Sequence, residues 1–313
     1  MRAKVSVAIV TFNRRDEVLK AVGSALAQQW SEKEVLVFDG GSSDGTVEAL
    51  RSRFAGFPEL KILQCTEDPG FVVLRNRLAK EARGDILVYL DDDAYLSGRR
   101  TFEDIVGLFE CCPATAVAAL PFISPADVAR RFRARRLPPP GSELACFTGC
   151  AWAIRREVAL GMGPFREIPD YYRDDRDLSV RLLDRGYEIR LARGEPVVHL
   201  HSPARDWERR LRLDVISVIL FDWLNVPWPY FPGRAAKDIV SLVLYRATLA
   251  RMPARLQYVW EGLLRCYRHR RLRSPVRATT WRRYRRLPTH GIMQWEGPLP
   301  APVLPESSGP TAG

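Results

Sequence analysis

Residues 75–94 read RNRLAKEARGDILVYLDDDA, which places a helical pattern, a strand and an acidic cluster in direct succession. The helical pattern spans residues 71–82, where apolar side chains recur at the i, i+3 and i+4 spacing of an amphipathic helix. The run ILVYL at 86–90 has the length and the unbroken apolar character of a strand that is buried on both faces. Three aspartates follow it at 91–93. This order predicts part of a parallel sheet with acidic groups at the end of one strand.

The same alternation continues on both sides of this stretch. Strand candidates lie at 5–10, 35–38, 116–120 and 197–200, and helix candidates lie at 102–109 and 178–185. Apolar strands that alternate with helices favour a mostly parallel sheet with helices on both faces. The sequence therefore predicts an α/β fold.

Charge divides the chain into two parts. Residues 204–313 contain 19 basic and 8 acidic residues, whereas residues 1–203 contain 29 of each, so the net charge of +11 belongs to the second part. A length of 313 residues fits one large domain with a sizeable extension. We predict an α/β domain at 1–203, a basic amphipathic helical extension at 204–290, and a disordered tail at 291–313 that is rich in proline and glycine.

Polar side chains follow several of the predicted strands. In α/β sheets, ligands bind at the carboxyl ends of the strands. The residues at these ends are Thr11, Asn13, Asp39, Asp91, Asp92, Asp93, His199 and His201. Helix caps or ordinary turns explain several of them when each is considered alone.

Three adjacent carboxylates are harder to explain as a simple turn. Burial of even part of this charge is costly without a cation, and carboxylates are the ligands that magnesium and manganese prefer. Asp174 and Asp175 form a second acidic pair at the start of a predicted helix. They fit either a favourable interaction with the helix dipole or the work of a general base.

Six blocks in a fixed order resemble the nucleotide-sugar glycosyltransferases of family 2. They are TFN, VLVFDGGSSDGT, RNRLAKEARGDILVYLDDDA, FTGCAWAIRREV, YRDDRDLSVRLLDRGYEI and VVHLH. The resemblance covers about residues 4–203. It implies a Rossmann-like GT-A fold, a nucleotide-sugar donor, a divalent Mg or Mn ion, and transfer with inversion at the anomeric carbon.

The resemblance also implies a role for each candidate residue. The nucleotide-sugar contacts fall on Thr11, Asn13, Asp39, Arg75, Asn76, Asp91 and Asp92. The metal ligands fall on Asp93, the last residue of the DXD motif, and on His199 and His201. Asp175 matches the catalytic base, and Asp174 stands where the family more often has Glu.

The QxxRW motif of polymer-extruding family members is absent, which favours a non-processive hexosyl- or deoxyhexosyltransferase. The TFNR start and the basic aromatic tail are similar to the rhamnosyltransferase-like subgroup, so we expect a UDP-, dTDP- or GDP-sugar donor and a glycan or lipid-linked saccharide acceptor in bacterial polysaccharide synthesis. A nucleotidyltransferase with a similar metal site is the alternative enzyme. A basic membrane- or nucleic-acid-binding protein is the alternative from another class, although the neutral first domain and its acidic strand ends disfavour nucleic acid.

The extension places aromatic residues among its arginines, including Trp223, Trp228, Tyr230, Trp260, Tyr267 and Trp281. Such helices either lie in the interface of an anionic membrane or pack as a subdomain on the core, and the sequence leaves both open. No apolar stretch approaches the roughly 20 residues of a membrane span. No secretory signal is recognisable. We therefore expect a cytoplasmic protein that is peripheral on the inner face of the cell membrane.

Overall fold

A computed structural model describes residues 2–66, 69–125, 137–163, 165–200, 207–244, 252–293, 295 and 298–305. The strands are β1 (Val5–Thr11), β2 (Lys33–Asp39), β3 (Leu60–Gln64), β4 (Ile86–Leu90), β5 (Ala94–Leu96), β6 (Thr115–Ala119), β7 (Phe122–Ile123), β8 (Ala151–Arg155), β9 (Glu188–Leu191) and β10 (Val197–His199). The helices are α1 (Arg15–Leu26), α2 (Thr46–Arg53), α3 (Phe71–Glu81), α4 (Thr101–Cys111), α5 (Arg156–Met162), α6 (Asp174–Asp184), α7 (Trp207–Asn225), α8 (Tyr230–Leu244), α9 (Met252–Arg268) and α10 (Ala278–Arg286).

Seven strands form the main sheet in the order β3-β2-β1-β4-β8-β6-β9. Strands β1 to β4 are mutually parallel, and β6 and β9 are also parallel, whereas β8 runs antiparallel to both of its neighbours. Every residue of β1 and β4 is buried, because apolar helices cover both faces of the sheet. The predicted α/β fold with a mostly parallel sheet is confirmed.

The register brings the predicted polar residues to one edge of the sheet. Thr11 at the end of β1 pairs with Asp39 at the end of β2, and Leu90 at the end of β4 pairs with Ala151. A small second sheet, in the order β5-β10-β7, places His199 beside Ala94. The carboxyl ends of β1, β2, β4 and β10 therefore meet around the aspartates at 91–93.

The extension packs against the first domain through a shared apolar cluster. Helices α7, α9 and α10 contribute most of its buried side chains, and Ile168, Tyr171 and Val180 contribute from the first domain. Trp281 of α10 is only 1% exposed and stacks on Tyr284. Among the described helices, none is long and apolar enough to cross a bilayer.

Part of the segment for which we predict a disordered tail contacts the first domain. The amide of Met293 donates to the carbonyl of Phe122 at 2.8 Å, and the hydroxyl of Tyr95 donates to the carbonyl of Pro300 at 2.8 Å. Further along, the carbonyl of Leu304 accepts a hydrogen bond from Arg99. Proline-rich composition lowers the helix and strand propensity of this segment, but an extended chain still offers free carbonyls and a few apolar side chains to the first domain.

Candidate active site

A cavity of about 860 Å³ opens at the carboxyl edge of the main sheet. The ends of β1 and β4 form its floor, and the first turns of α3, α6 and α7 contribute to its walls. Its polar lining includes Thr11, Arg14, Arg75, Asp91, Asp92, Asp93, Asp174, His199, Arg209 and Arg210. Both signs of charge therefore converge on one open space that is large enough for a small organic ligand.

Three candidate metal ligands meet at this edge. One ligand atom each from Asp91, Asp93 and His199 lies within 4.8 Å of the others. Asp93 and His199 are almost fully buried, and the His199 Nε2 atom lies 3.1 Å from the Asp93 Oδ1 atom. Two carboxylates and one imidazole are a donor set that suits manganese or magnesium, so the residues present fit a divalent ion. His201, the other predicted histidine ligand, lies outside the described residues.

Arg14 contacts the same carboxylates from the other side. Its Nη1 atom lies 2.7 Å from the Asp93 Oδ2 atom and 3.1 Å from the Asp92 Oδ1 atom. Burial alone would raise the pKa of Asp93, but the bonds and charges of His199 and Arg14 hold it well below its usual range. Both oxygens of Asp93 are thus paired with cationic or protonatable groups of the chain.

The pKa values of the neighbouring groups are raised, whereas that of Asp93 is lowered. Burial raises the pKa of Asp92 to about 7, although Arg14 opposes this shift. Burial also raises the pKa of Asp91 against the effect of Arg75. Burial would lower the pKa of His199, but its hydrogen bonds to Asp93 and Cys150 raise the value to about 10.

Arg75 connects the acidic strand end to the acidic helix start. Its Nη2 atom lies 2.6 Å from Asp91 Oδ1, and its Nη1 atom lies 3.5 Å from Asp174 Oδ2. The guanidinium also donates to the carbonyl of Gly149 and lies 4.0 Å from the ring centre of Phe71. Because Arg75 is almost fully buried, these contacts hold two distant acidic segments against one cavity.

The acidic pair at the start of α6 has perturbed acidity. Burial raises the pKa of Asp174 to about 7 against the charge of Arg75. Burial also raises the pKa of Asp175, which has the positive charges of Arg176 and Arg173 nearby. Among the described residues that line the cavity, Asp174 is present and Asp175 is not.

Two residues that we predict to bind the nucleotide sugar, Asp39 and Asn13, lie next to the cavity lining. The buried Asp39 carboxylate accepts hydrogen bonds from the amides of Gly41 and Ser42 at 3.1 and 2.9 Å. Asn13, which has a positive φ of 51°, accepts from the Ser43 amide at 2.8 Å and fixes the β1 loop to this turn. Asp39 and Asn13 therefore order the turn beside Gly40, which lines the cavity.

Asn76 is buried behind the cavity wall. Its amide group exchanges hydrogen bonds with the backbone of Phe165 and donates to Glu167 at 3.0 Å. Among the described lining residues, Glu167 is present and Asn76 is not. The structure thus gives Asn76 a contact that positions the loop before α6.

Sequence reasoning missed Arg14 and Cys150. Arg14 follows the quoted TFN block directly, so its place after β1 was a usable signal. Cys150 is buried and hydrogen-bonded to His199, which is a long-range contact that sequence spacing does not reveal.

Comparison with known proteins agrees with this geometry. The profile of Glycosyl transferase family 2 matches residues 6–161, about half of the chain. The uncharacterized glycosyltransferase YfnE of Bacillus subtilis is 38% identical over 91 residues, which are 29% of this chain and 23% of that protein. Glycosyltransferase AglE of Haloferax volcanii is 36% identical over 91 residues, 28% of this chain and 30% of that protein. The chain thus matches less than a third of either relative's length.

Solved structures share the fold at low sequence identity. The mannosyltransferase PcManGT from Pyrobaculum calidifontis, in complex with GDP-Man and Mn²⁺, has a TM-score of 0.56 at 20% identity, over 85% of this chain and 76% of that chain. S. aureus TarS in complex with UDP-GlcNAc has a TM-score of 0.58 at 15% identity, over 83% of this chain and 80% of that chain. The fold, the acidic strand end and the matched profile lead to one conclusion: this chain is a member of glycosyltransferase family 2 with the GT-A fold.

Proposed function

We propose that the protein is a metal-dependent inverting glycosyltransferase that moves one sugar from a nucleotide-diphosphate donor to an acceptor hydroxyl. The observation that carries the proposal is the cluster of Asp91, Asp93 and His199 at the cavity. The diphosphate of the donor carries two negative charges, and its departure from the sugar adds a third on the leaving oxygen. A divalent ion held by this cluster supplies the Lewis acidity that stabilises such a leaving group.

We expect the nucleotide-sugar donor to bind with its diphosphate near the arginines of the cavity and its nucleoside near the turn beside Asp39. Arg14, Arg209 and Arg210 line it and offer positive charge to a diphosphate. The turn beside Asp39 and the end of β1 form the side on which the resemblance places the nucleoside. On this basis we propose that the donor-binding residues are of two kinds. Thr11, Arg75, Asp91 and Asp92 line the cavity and contact the donor, whereas Asn13, Asp39 and Asn76 hold the surrounding loops in place for it.

The acidic pair supplies the base. Burial raises the pKa of both carboxyls, and Asp174 is in addition held by the Arg75 guanidinium. A carboxylate whose pKa is raised above the ordinary aspartate range is a stronger base, which suits removal of a proton from the attacking hydroxyl. We assign this step to Asp175, in agreement with the family motif, and assign to Asp174 the positioning of Arg75. One base and no enzyme nucleophile give a single displacement and hence inversion, the logic of inverting glycosidases.

The acceptor is a glycan or a lipid-linked saccharide, and the reaction belongs to the synthesis of a bacterial surface polysaccharide. A putative teichuronic acid biosynthesis glycosyltransferase of Bacillus subtilis, TuaG, is 30% identical over 89 residues, and this supports the assignment. The proposal includes non-processive hexosyl or deoxyhexosyl transfer and a position on the inner face of an anionic membrane. A rhamnosyl donor is the subgroup prediction.

A donor screen tests this proposal. The full-length protein is incubated with UDP-, dTDP- and GDP-sugars, with manganese, magnesium or a chelator, and the released nucleotides are identified. Release of free nucleoside diphosphate that disappears in excess chelator supports sugar transfer. A parallel incubation with nucleoside triphosphates and sugar 1-phosphates tests the alternative, since a nucleotidyltransferase releases pyrophosphate from that pair. Pyrophosphate there, with no nucleoside diphosphate released from any nucleotide sugar, contradicts the proposal.

A further inference from the structure

Helix α9 is apolar on two opposite faces. Its inner side carries Tyr258, Val259, Gly262 and Cys266, which are buried. A Cβ atom at Gly262 would lie 2.9 Å from the Ile219 side chain of α7, so the two helices approach closely and leave no room for a larger residue. This close contact fixes which face of α9 points away from the protein.

The opposite side of α9, which we call the outer face, consists of large apolar residues. They are Leu256, Trp260, Leu263, Leu264 and Tyr267, between 39% and 67% exposed. Their spacing of three and four places them in one stripe along the helix. A continuous stripe of exposed aromatic and aliphatic side chains is typical of a surface that meets another phase or partner.

A basic segment continues directly from this stripe. Residues 268–273 read RHRRLR, and Arg268, Arg270 and Arg271 are exposed. Leu272 is also exposed within the segment. The Arg270 guanidinium lies 4.5 Å from the ring centre of Tyr267, which joins the end of the outer face to the basic segment. Apolar and cationic side chains therefore form one continuous surface.

We propose that the outer face of α9 and the basic segment 268–273 dock on an anionic lipid bilayer. Interfacial helices bury an apolar face at the level of the headgroups, and adjacent basic residues attract anionic lipids. Two copies of this chain joined through the same surface would bring their arginines together, which disfavours a dimer. This docking proposal rests on the proposed function, which places the protein and its acceptor at a membrane.

The structure also separates the aromatic residues of the extension by role. Trp281 of α10 is buried and contacts Phe221 of α7, and Trp223 packs against Phe231. Trp260 and Tyr267 are the exposed aromatic residues of α9. The packed-subdomain and membrane interpretations therefore apply to different faces of the same extension.

Docking would also orient the cavity. The first turn of α7 contributes Arg209 and Arg210 to the cavity, and the same helix contacts α9 through the ion pair of Arg212 with Glu261 at 2.8 Å. A rigid α7 thus connects the docking surface to the candidate active site. A lipid-linked acceptor would meet the cavity at a fixed height above the bilayer.

Sedimentation with vesicles tests the proposal. The full-length protein is mixed with phosphatidylcholine vesicles that contain or lack phosphatidylglycerol, at low and high salt. We expect binding to the anionic vesicles. The double variant Trp260→Ser, Leu264→Ser should bind about tenfold or more weakly, because two apolar side chains lose their burial. Arg268→Gln, Arg271→Gln should lose about fivefold per arginine at low salt and less at high salt.

The matched control is Leu160→Ser, an exposed leucine on α5 of the first domain, which should bind like the wild type. Circular dichroism and the elution volume of each variant confirm folding and report dimers. Wild-type failure to bind anionic vesicles, unchanged binding of the Trp260 and Leu264 variant, or a dimer that this variant dissociates would each overturn the proposal.

Nucleotide release from a donor sugar in the absence of vesicles separates the two proposals. The outer-face residues lie outside the cavity lining, so this release should be equal in the wild type and the variant. Vesicle binding by a protein that turns over no donor would leave the docking surface intact and contradict the proposed function alone.

Discussion

Both oxygens of Asp93 are engaged by other side chains, one by His199 and the other by Arg14. A divalent ion and the Arg14 guanidinium cannot both contact the Asp93 Oδ2 atom directly. Positive charge from Arg14 offsets the repulsion among Asp91, Asp92 and Asp93, which are close together at one strand end. Arg14 is therefore the competitor of the proposed ion.

Removal of Arg14 should strengthen the binding of manganese. In Arg14→Met, the Asp93 oxygen loses a charge-assisted hydrogen bond that a metal must otherwise displace, and we expect about a tenfold lower dissociation constant. Electron paramagnetic resonance of free Mn²⁺ measures this without any substrate. Arg15→Met is the matched control, since Arg15 pairs only with the exposed Asp16 among the contacts found for its side chain in the described residues. Equal affinity in both variants would show that Arg14 does not compete.

Asp93→Asn should abolish manganese binding and nucleotide release together, because the ion loses a charged ligand while the diphosphate still needs neutralisation. The same resonance titration and a product assay measure the two effects. Asp16→Asn, an exposed carboxylate on α1, is the control and should behave like the wild type. Normal turnover of Asp93→Asn in excess chelator would refute the metal site.

Asp175→Asn should preserve donor binding and reduce turnover by about 10²–10⁴, the usual contribution of a positioned base. Because burial raises the pKa of this carboxyl, the acidic limb of the kcat profile should lie above the ordinary aspartate range, and activity should fall as the pH drops through it. Asp174→Asn should instead weaken donor binding through Arg75. Severe loss of turnover in Asp174→Asn with a mild effect in Asp175→Asn would reverse the assignment.

The acidic cluster at 91–93 could be predicted from the sequence, because it follows a buried strand directly and parallel strands end at one edge. The contact of Arg75 with Asp174 could not, since the residues are far apart in sequence and meet only through the fold. Arg14 was visible as a residue but not as a partner. Sequence patterns report a residue's element and not the rotamer that aims its side chain.

At the scale of elements, the strands and helices of the first domain follow their apolar periodicity. Strand β8, a short antiparallel strand in the middle of the main sheet, is absent from the predicted strands, because a βα pattern predicts parallel pairing. In the segment after residue 290, Met293 and Pro300 contact the first domain through backbone groups. Such contacts depend on a partner surface that composition does not encode.

Helix α10 should hold the extension to the first domain. Trp281→Ala removes a side chain that is 1% exposed and stacked on Tyr284, and we expect a loss of about 3–5 kcal/mol in the free energy of unfolding. Urea denaturation followed by circular dichroism measures this loss. Trp228→Ala, at an exposed tryptophan outside this cluster, should change stability little. Equal effects of the two substitutions would show that Trp281 does not anchor the extension.

At the scale of the whole molecule, the change of charge after residue 203 does not coincide with a boundary between independent cores. Ile168, Tyr171 and Val180 share one cluster with α7 and α10, and the amide of Ala145 donates to the carbonyl of Pro288 at 2.8 Å. The sequence shows where the composition changes. It does not show that the extension covers an apolar surface of the first domain.

Truncation after residue 205 should therefore expose this shared cluster. We expect a chain that aggregates or unfolds at a much lower temperature, instead of a stable nucleotide-binding core. Differential scanning calorimetry with and without UDP and manganese tests this. A cooperative transition at the wild-type temperature in the truncated chain would show that residues 1–205 form an independent domain.

We propose that the acidic cluster at the carboxyl edge of the sheet supports metal-dependent sugar transfer. The most direct test is chromatographic identification of the nucleotide that purified full-length protein releases from UDP-, dTDP- and GDP-sugars. We expect free nucleoside diphosphate from at least one donor, formed with manganese or magnesium, absent in excess chelator and absent in Asp93→Asn. Undiminished release in chelator, or no nucleoside diphosphate from any donor, would contradict it.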